Sequence, residues 1–175
     1  MTSIEESEKP GGKPSFIYCS GTAGVGKTFV IDCIADAVQL KYGDDSDASS
    51  KPAVLLGAPT ALTAILIRGQ TLHSLFGIQV KNGTEAGYEP LRDDQRDLRR
   101  SLFAKIKVII IDEISMCGAV MLAKINNRLR EIKIHNQQFG AVNIVVFGDM
   151  LQLPPVQALP VFTDVLISTQ IAVNI

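Results

Sequence analysis

The stretch FIYCSGTAGVGKTFVIDCIADAV, residues 16–38, changes periodicity part-way along. Residues 16–19 form a short continuous apolar run bounded by Ser15 and Ser20, the pattern of a buried strand. From residue 27 to about 42 apolar residues recur at helical spacing (Val30, Ile31, Ile34, Ala37, Val38), and Gly43 stops the pattern. Between the two lies GTAGVGKT, residues 21–28, which fits G-x-x-x-x-G-K-[ST] at every constrained position, in the strand–loop–helix setting the motif requires. Glycine lets the backbone curl so that successive N–H groups converge on phosphate oxygens. The helix N-terminus adds partial positive charge. Lys27 reaches the outer phosphates and the Thr28 hydroxyl suits Mg²⁺. The competing reading is a plain Gly-rich turn before a helix, and the loop alone does not specify which NTPase this is.

Working outward, residues 53–56, Val108–Ile111 and 144–147 are three more apolar runs of strand length. They alternate with helical patterns at 61–67, 93–105 (Leu98, Leu102 and Phe103 inward) and 120–134 (Met121, Leu122, Ile125 and Leu129 on one side). Residues 43–52 are a polar linker and 79–91 a turn-rich surface excursion. Strands that are apolar on both faces and alternate with helices predict an α/β fold: a three-layer domain with a mainly parallel sheet. The expected organisation is a disordered leader over 1–14, one domain over 15–160, and the start of a following segment over 161–175.

Bulk properties narrow the function. A net charge of −1 excludes a global basic footprint, so any nucleic-acid contact is local. Cys19, Cys33 and Cys117 are odd in number and form no CxxC, which argues against a zinc site or a disulfide framework. No apolar run reaches membrane-spanning length, and no membrane partner is expected. The acidic start lacks an apolar core and is not Arg-rich, so it reads as neither secretory signal nor transit peptide.

VIIIDE, residues 108–113, sets two acids directly after an apolar strand. In a parallel sheet that end faces the same crevice as the phosphate loop. Asp112 is then placed to hold Mg²⁺, and Glu113 to orient and deprotonate an attacking water. Solvated turn carboxylates are the alternative. GDMLQLPP, residues 148–155, follows the last strand. Asp149 caps or braces the loop, the neutral amide of Gln152 suits a γ-phosphate or its attacking water, and Pro154 and Pro155 stiffen the segment after it. The alternative is a rigid Pro-ended loop without a role. No [NT]KxD follows the carboxylate pair, which argues against a guanine-specific GTPase.

In order, GTAGVGKT, APT…GQTLHSLFGI, IIIDEISM and GDMLQLPPV resemble the RecD-like DNA helicases of superfamily one, and among them the Pif (petite integration frequency) subgroup, over residues 15–157. The resemblance implies a P-loop NTPase (RecA-like) domain, one of a pair with ATP in the cleft between them, in an ATP-dependent 5′-3′ DNA helicase moving on single-stranded DNA. It implies that Gly21, Thr22, Ala23, Gly24, Val25, Gly26, Lys27 and Thr28 bind ATP, that Thr28 and Asp112 hold Mg²⁺, that Glu113 is the catalytic base assisted by Lys27, and that Gln152 senses the γ-phosphate. It implies DNA-facing positions at Pro59, Thr60, Thr71 and His73. It also implies service in DNA repair, recombination or telomere maintenance, inside the cell, in the nucleus or mitochondrion of a eukaryote. From the residues alone, Thr60 is equally a helix N-cap, His73 a satisfied core or turn histidine, and Phe76 core.

The chain departs from the family pattern in three places. Ala61 stands where the family has Gly after APT, and the leader offers no Gln for adenine recognition. Residues 161–175 contain no Arg or Lys, so the second RecA-like domain and its arginine are expected from elsewhere. Such an arginine contributes a rate factor on the order of 10³ to 10⁵. Two other readings stand beside the helicase: an ATP-binding module or degenerate fragment without turnover, and an AAA-type ATPase. An Asn commonly ends the corresponding strand of the latter, and GDMLQ argues against it.

Overall fold

Among the described residues, five parallel strands order the chain: β1 (Phe16–Ser20), β2 (Val54–Ala58), β3 (Gln70–Thr71), β4 (Val108–Ile111) and β5 (Asn143–Gly148). They lie side by side as β1-β5-β4-β2-β3. The coordinates are a computed structural model that describes residues 2–7, 9, 12–43, 51–79, 88–155 and 158–161. The helices are α1 (Thr2–Ser7), α2 (Lys27–Tyr42), α3 (Ala61–Leu66), α4 (Leu72–Phe76), α5 (Asp93–Phe103) and α6 (Ala119–Lys133).

β4 explains the layering. All four of its residues are buried, and they alternate between two cores. Ile109 and Ile111 join Leu55, Phe76, Phe103, Ile125 and Leu129 on the α4–α5–α6 face. Val108 and Ile110 join Ile31, Val38, Ala64 and Phe147 on the α2–α3 face. A strand covered on both faces has no polar alternate positions, which is why its sequence is a continuous apolar run.

Register then aligns the strand ends. Ser20 pairs with Gly148, Ile111 with Val146, and Gly57 with Ile111. The segments leaving β1, β4, β5 and β2 therefore emerge on one rim.

Several expectations need correction. The leader is partly ordered: residues 2–7 form α1, Ile4 packs into the α2–α3 core, and Glu5 pairs with Lys41. Buried Asn143 ties this end to the sheet, its amide nitrogen donating to Ser7 Oγ (3.2 Å) and Lys107 O (2.9 Å) and its oxygen accepting from Ser15 N (2.9 Å). β1 is not buried as its apolar run predicts. Phe16 and Ile17 are each 43% exposed, because among the described residues β1 pairs on one side only.

Leu98 is exposed rather than inward. It stands five residues before Phe103, about 140° round the helix from that buried ring. Part of the predicted surface excursion, residues 80–87, lies outside the described residues; at its far end Glu89 and Pro90 are exposed as expected, and Leu91 is buried. The sequence does not announce β3 and α4, which are too short for either periodicity to register. Of residues 161–175 only Val161 is described, and it packs in the α6-side core.

Candidate functional site

The loop after β1 is anchored where Gly21 N donates to Gly148 O (3.2 Å). Two of its glycines take left-handed backbone, Gly24 at φ 78° and Gly26 at φ 89°. A Cβ at either would meet nothing within 4 Å, so glycine is required there by conformation and not by crowding. Gly26 is also the N-cap of α2, which aims the helix N-terminus at the curl of the loop. Lys27 Nζ donates to Gly21 O (2.8 Å) and Thr22 O (3.0 Å), holding the ammonium against the loop.

Above the loop is a cleft of about 410 Å³, lined by Ala23, Gly24, Gly26, Lys27, Thr28, Thr63, Leu66, Asp112, Glu113 and Gln152. The phosphate loop, α3, the acid pair and the Gln152 segment, far apart in sequence, thus share one cavity. Thr22 and Val25 lie on the exposed crest of the loop.

Asp112 is 4% exposed, and its Oδ1 accepts from Glu113 N at 2.9 Å. Burial pushes its carboxyl up, an effect that the Glu113 N–H and the Lys27 charge oppose. Glu113 has left-handed backbone, φ 53°, which is unfavourable for a residue with a Cβ. Its carboxyl is also raised, first by burial and then by the Asp112 charge, with Lys27 again opposing. A raised carboxyl beside a neighbouring acid is the tuning a general base needs near neutral pH.

Asp149 braces the last loop, as its position after the strand predicts. Its Oδ1 accepts from Leu151 N (3.0 Å) and its Oδ2 from Gln152 Nε2 (3.2 Å), while Gln152 N donates to Asp149 O (3.0 Å). Gln152 is thereby held on the cleft wall by its own amide nitrogen.

A second cleft of about 370 Å³ adjoins the first, lined by Thr60, Leu62, Thr63, Glu113, Met116, Gln152 and Leu153. Thr63, Glu113 and Gln152 belong to both clefts. Thr60 caps α3: its Oγ1 accepts from Thr63 N (3.2 Å) and donates to Thr63 Oγ1 (2.9 Å). Thr71 caps α4 in the same way, accepting from Ser74 N (3.3 Å). Pro59 and His73 are half-buried on the β2 and β3 side of the rim, and Phe76 is core, 6.0 Å from the Phe103 ring. Ala61 is the exposed first residue of α3. Of the four expected DNA-facing residues, Thr60 lines the cleft that adjoins the phosphate loop's.

Sequence reasoning missed two supports. Buried Asn126 accepts from Phe139 N at 2.7 Å, and Asn143 clamps the far end of the sheet. Asn126 reads as part of a solvated helical face and Asn143 as the polar start of a strand, and nothing local marks either as buried.

Among the described residues no group of three or more His, Cys, Asp or Glu is placed to hold a metal. Thr28 and Asp112, both on the lining of the phosphate-loop cleft, are oxygen donors that could share a hard cation with a bound phosphate and water. No helix among the described residues is long and apolar enough to cross a membrane.

A parallel sheet between two helical layers, with the Gly-rich loop and the acid pair on one rim, defines a RecA-like P-loop NTPase domain. The chain matches the PIF1-like helicase family over residues 3–168, and it belongs to that family. It is 34% identical over 144 residues to the ATP-dependent DNA helicase RRM3 of Saccharomyces cerevisiae, covering 82% of this chain and 19% of the relative. It is 34% identical over 144 residues to the ATP-dependent DNA helicase Pif1 of Bdellovibrio bacteriovorus, covering 80% and 29%. The Bacteroides Pif1 helicase solved with ADP-AlF3 and single-stranded DNA superposes with a TM-score of 0.62 at 30% identity, over 82% of this chain and 30% of that one. The chain thus spans less than a third of the length of these relatives.

Proposed function

We propose that this chain is the nucleotide-binding part of an ATP-dependent 5′-3′ DNA helicase. The observation that carries the reading is the shared wall: Glu113 and Gln152 line both the phosphate-loop cleft and the Thr60 cleft. The residues of the loop, Gly21 to Thr28, hold the triphosphate. Lys27 neutralises its outer charge, and Thr28 and Asp112 hold the Mg²⁺, which supplies charge neutralisation at the phosphates. Glu113 accepts a proton from the attacking water, and Gln152 hydrogen-bonds that water or the γ-phosphate.

Single-stranded DNA runs past Pro59, Thr60, Thr71 and His73, whose hydroxyls and ring suit phosphate contacts. Both threonine hydroxyls accept from the N–H groups of the helices they cap, which leaves each O–H as the donor. The Thr60 O–H exchanges its Thr63 Oγ1 acceptor for a phosphate oxygen. An arginine from outside residues 1–175, on a second RecA-like domain or a partner, completes the charge stabilisation. Such a protein works inside the cell on DNA in repair, recombination or telomere maintenance.

The test is ATP binding and turnover by the purified chain with and without single-stranded DNA, with Lys27→Ala as the blank. Binding in the wild type, lost in Lys27→Ala, with turnover that rises when DNA is added, is the expected result. Equal nucleotide binding by both proteins would refute the assignment of the loop. Binding without any DNA effect, in a chain that also carries the segment supplying the arginine, would favour a nucleotide-binding module over a motor.

A further inference from the structure

A cavity of about 200 Å³ lies away from the nucleotide cleft, between the C-terminal end of α4, the segment entering α5, and the flank of α6. Gly77, Tyr88, Leu91, Arg92, Lys124 and Arg128 are among the residues that line it. Lys124 and Arg128 stand one helical turn apart, and they are 5% and 3% exposed. That is unusual, since lysine and arginine are almost never so buried unless paired.

Arg128 is paired. Its guanidinium donates to Glu131 and to Glu89 O (2.9 Å) and lies 5.0 Å from the Tyr88 ring centre. Glu131 is spent on this arrangement, because it also accepts from the Tyr88 hydroxyl and from Leu91 N (3.0 Å). Among the described residues, Arg128 Nε is buried without a hydrogen-bond partner. Lys124 has neither a hydrogen bond nor an ion pair among the described residues. Arg99, nearby, is held below its ordinary basicity first by burial and then by the Arg128 charge. The Lys124 stem is buried and its ammonium has no counter-charge among the described residues, and an anion between two cations is held by charge-assisted hydrogen bonds.

We propose that this cavity is an oxyanion site that takes a phosphate group between Lys124 and the Arg128 edge, with Arg92 at its mouth. A phosphate fits the volume and the two adjacent cations. It is supplied either as free inorganic phosphate or as a backbone phosphate of single-stranded DNA. The proposal is independent of the nucleotide cleft and does not require turnover.

The test uses the whole chain carrying Lys27→Ala, which silences the nucleotide loop. Inorganic phosphate is titrated by calorimetry and by its stabilisation of the thermal melt. Phosphate binds the Lys27→Ala chain, binding weakens roughly tenfold or more when Lys124→Met is added, and Lys124→Arg restores most of it. Circular dichroism reports folding, and Lys124→Gln replaces the Met variant should that one fail to fold. Phosphate binding that is absent from Lys27→Ala, or unchanged by loss of the Lys124 charge, would overturn the site and leave Lys124 as a side chain whose stem is buried and whose head finds water. A short oligothymidylate then identifies the source: displacement of phosphate assigns the site to DNA backbone, and retention assigns it to the free anion, either result upholding the oxyanion site.

Discussion

Glu113 combines two unfavourable conditions, left-handed backbone and a carboxyl raised by burial and by Asp112. Strain of this kind persists where the surroundings over-determine it, and a catalytic position is a frequent reason. Two substitutions separate the effects. Glu113→Gln keeps the shape and removes the proposed base, so on that reading nucleotide binding survives and ATP turnover falls by a factor of about 10² or more. Glu113→Gly also loses turnover but relieves the backbone, and melts higher by the equivalent of about 1 kcal/mol. A Gly variant less stable than the wild type would remove the case for strain.

The pH dependence arises from the same pair. Both carboxyls have folded pKa values above their ordinary ones, so the folded chain holds these protons more tightly than the unfolded chain does. Their contribution favours folding below the ordinary carboxylate range and is lost as pH rises through the raised values. Asp112→Asn cannot ionise. Without nucleotide its melting temperature is higher than the wild type's at neutral pH, and the two converge under acid conditions. Parallel melting curves at every pH would show that Asp112 carries no such penalty. With Glu113 as the proposed base, turnover falls off on the acid side at a higher pH than an ordinary glutamate would give.

At the scale of elements, buried Asn126 ties the turn between α6 and β5 back to the helix. Phe139, Gly140 and Ala141 all have positive φ, at 49°, 62° and 62°, and Asn126 accepts from Phe139 N. Ala141→Gly removes a left-handed Cβ and stabilises the fold by up to about 1 kcal/mol, read by denaturant unfolding. Asn126→Ala leaves a buried N–H without a partner and destabilises by about 1–3 kcal/mol.

This turn also shows what can be read from the chain and what cannot. The loop at residues 21–28, β4 with its acid pair, and the Gln152 segment are legible because each is a contiguous signal: an apolar run that stops, then chemistry. The turn depends on Asn126 meeting Phe139 across the end of a helix, and neither residue has a local feature that announces the other. Lys124, Arg128 and Glu131 look like an ordinary charged helical face in sequence. Lys124 and Arg128 are buried and Glu131 is partly so, and residues from the segment before α5 fold onto Arg128 and Glu131, a long-range contact that no periodicity encodes. The sequence allows Thr60 to be a cap or a DNA contact. The cap is observed, and its exposed alternative depends on a hydroxyl proton that no sequence pattern directs.

At the scale of the whole molecule, β1 has one neighbour among the described residues, and α2 beside it exposes Phe29 and Leu40. An unpaired strand edge with apolar residues on it is a template for another strand. The purified chain is therefore expected to associate increasingly with concentration in sedimentation, and Ile17→Lys, a charge on that edge, to reduce the association. The same mass for both proteins across the range would count against an adhesive edge.

The wall of Glu113 and Gln152 between the two clefts carries a thermodynamic obligation. On the proposed reading DNA and nucleotide touch these same side chains, and any linkage between them is symmetric: the factor by which DNA alters nucleotide affinity equals the factor by which nucleotide alters DNA affinity. Grip on a track and grip on a fuel molecule would then be one quantity measured from two ends.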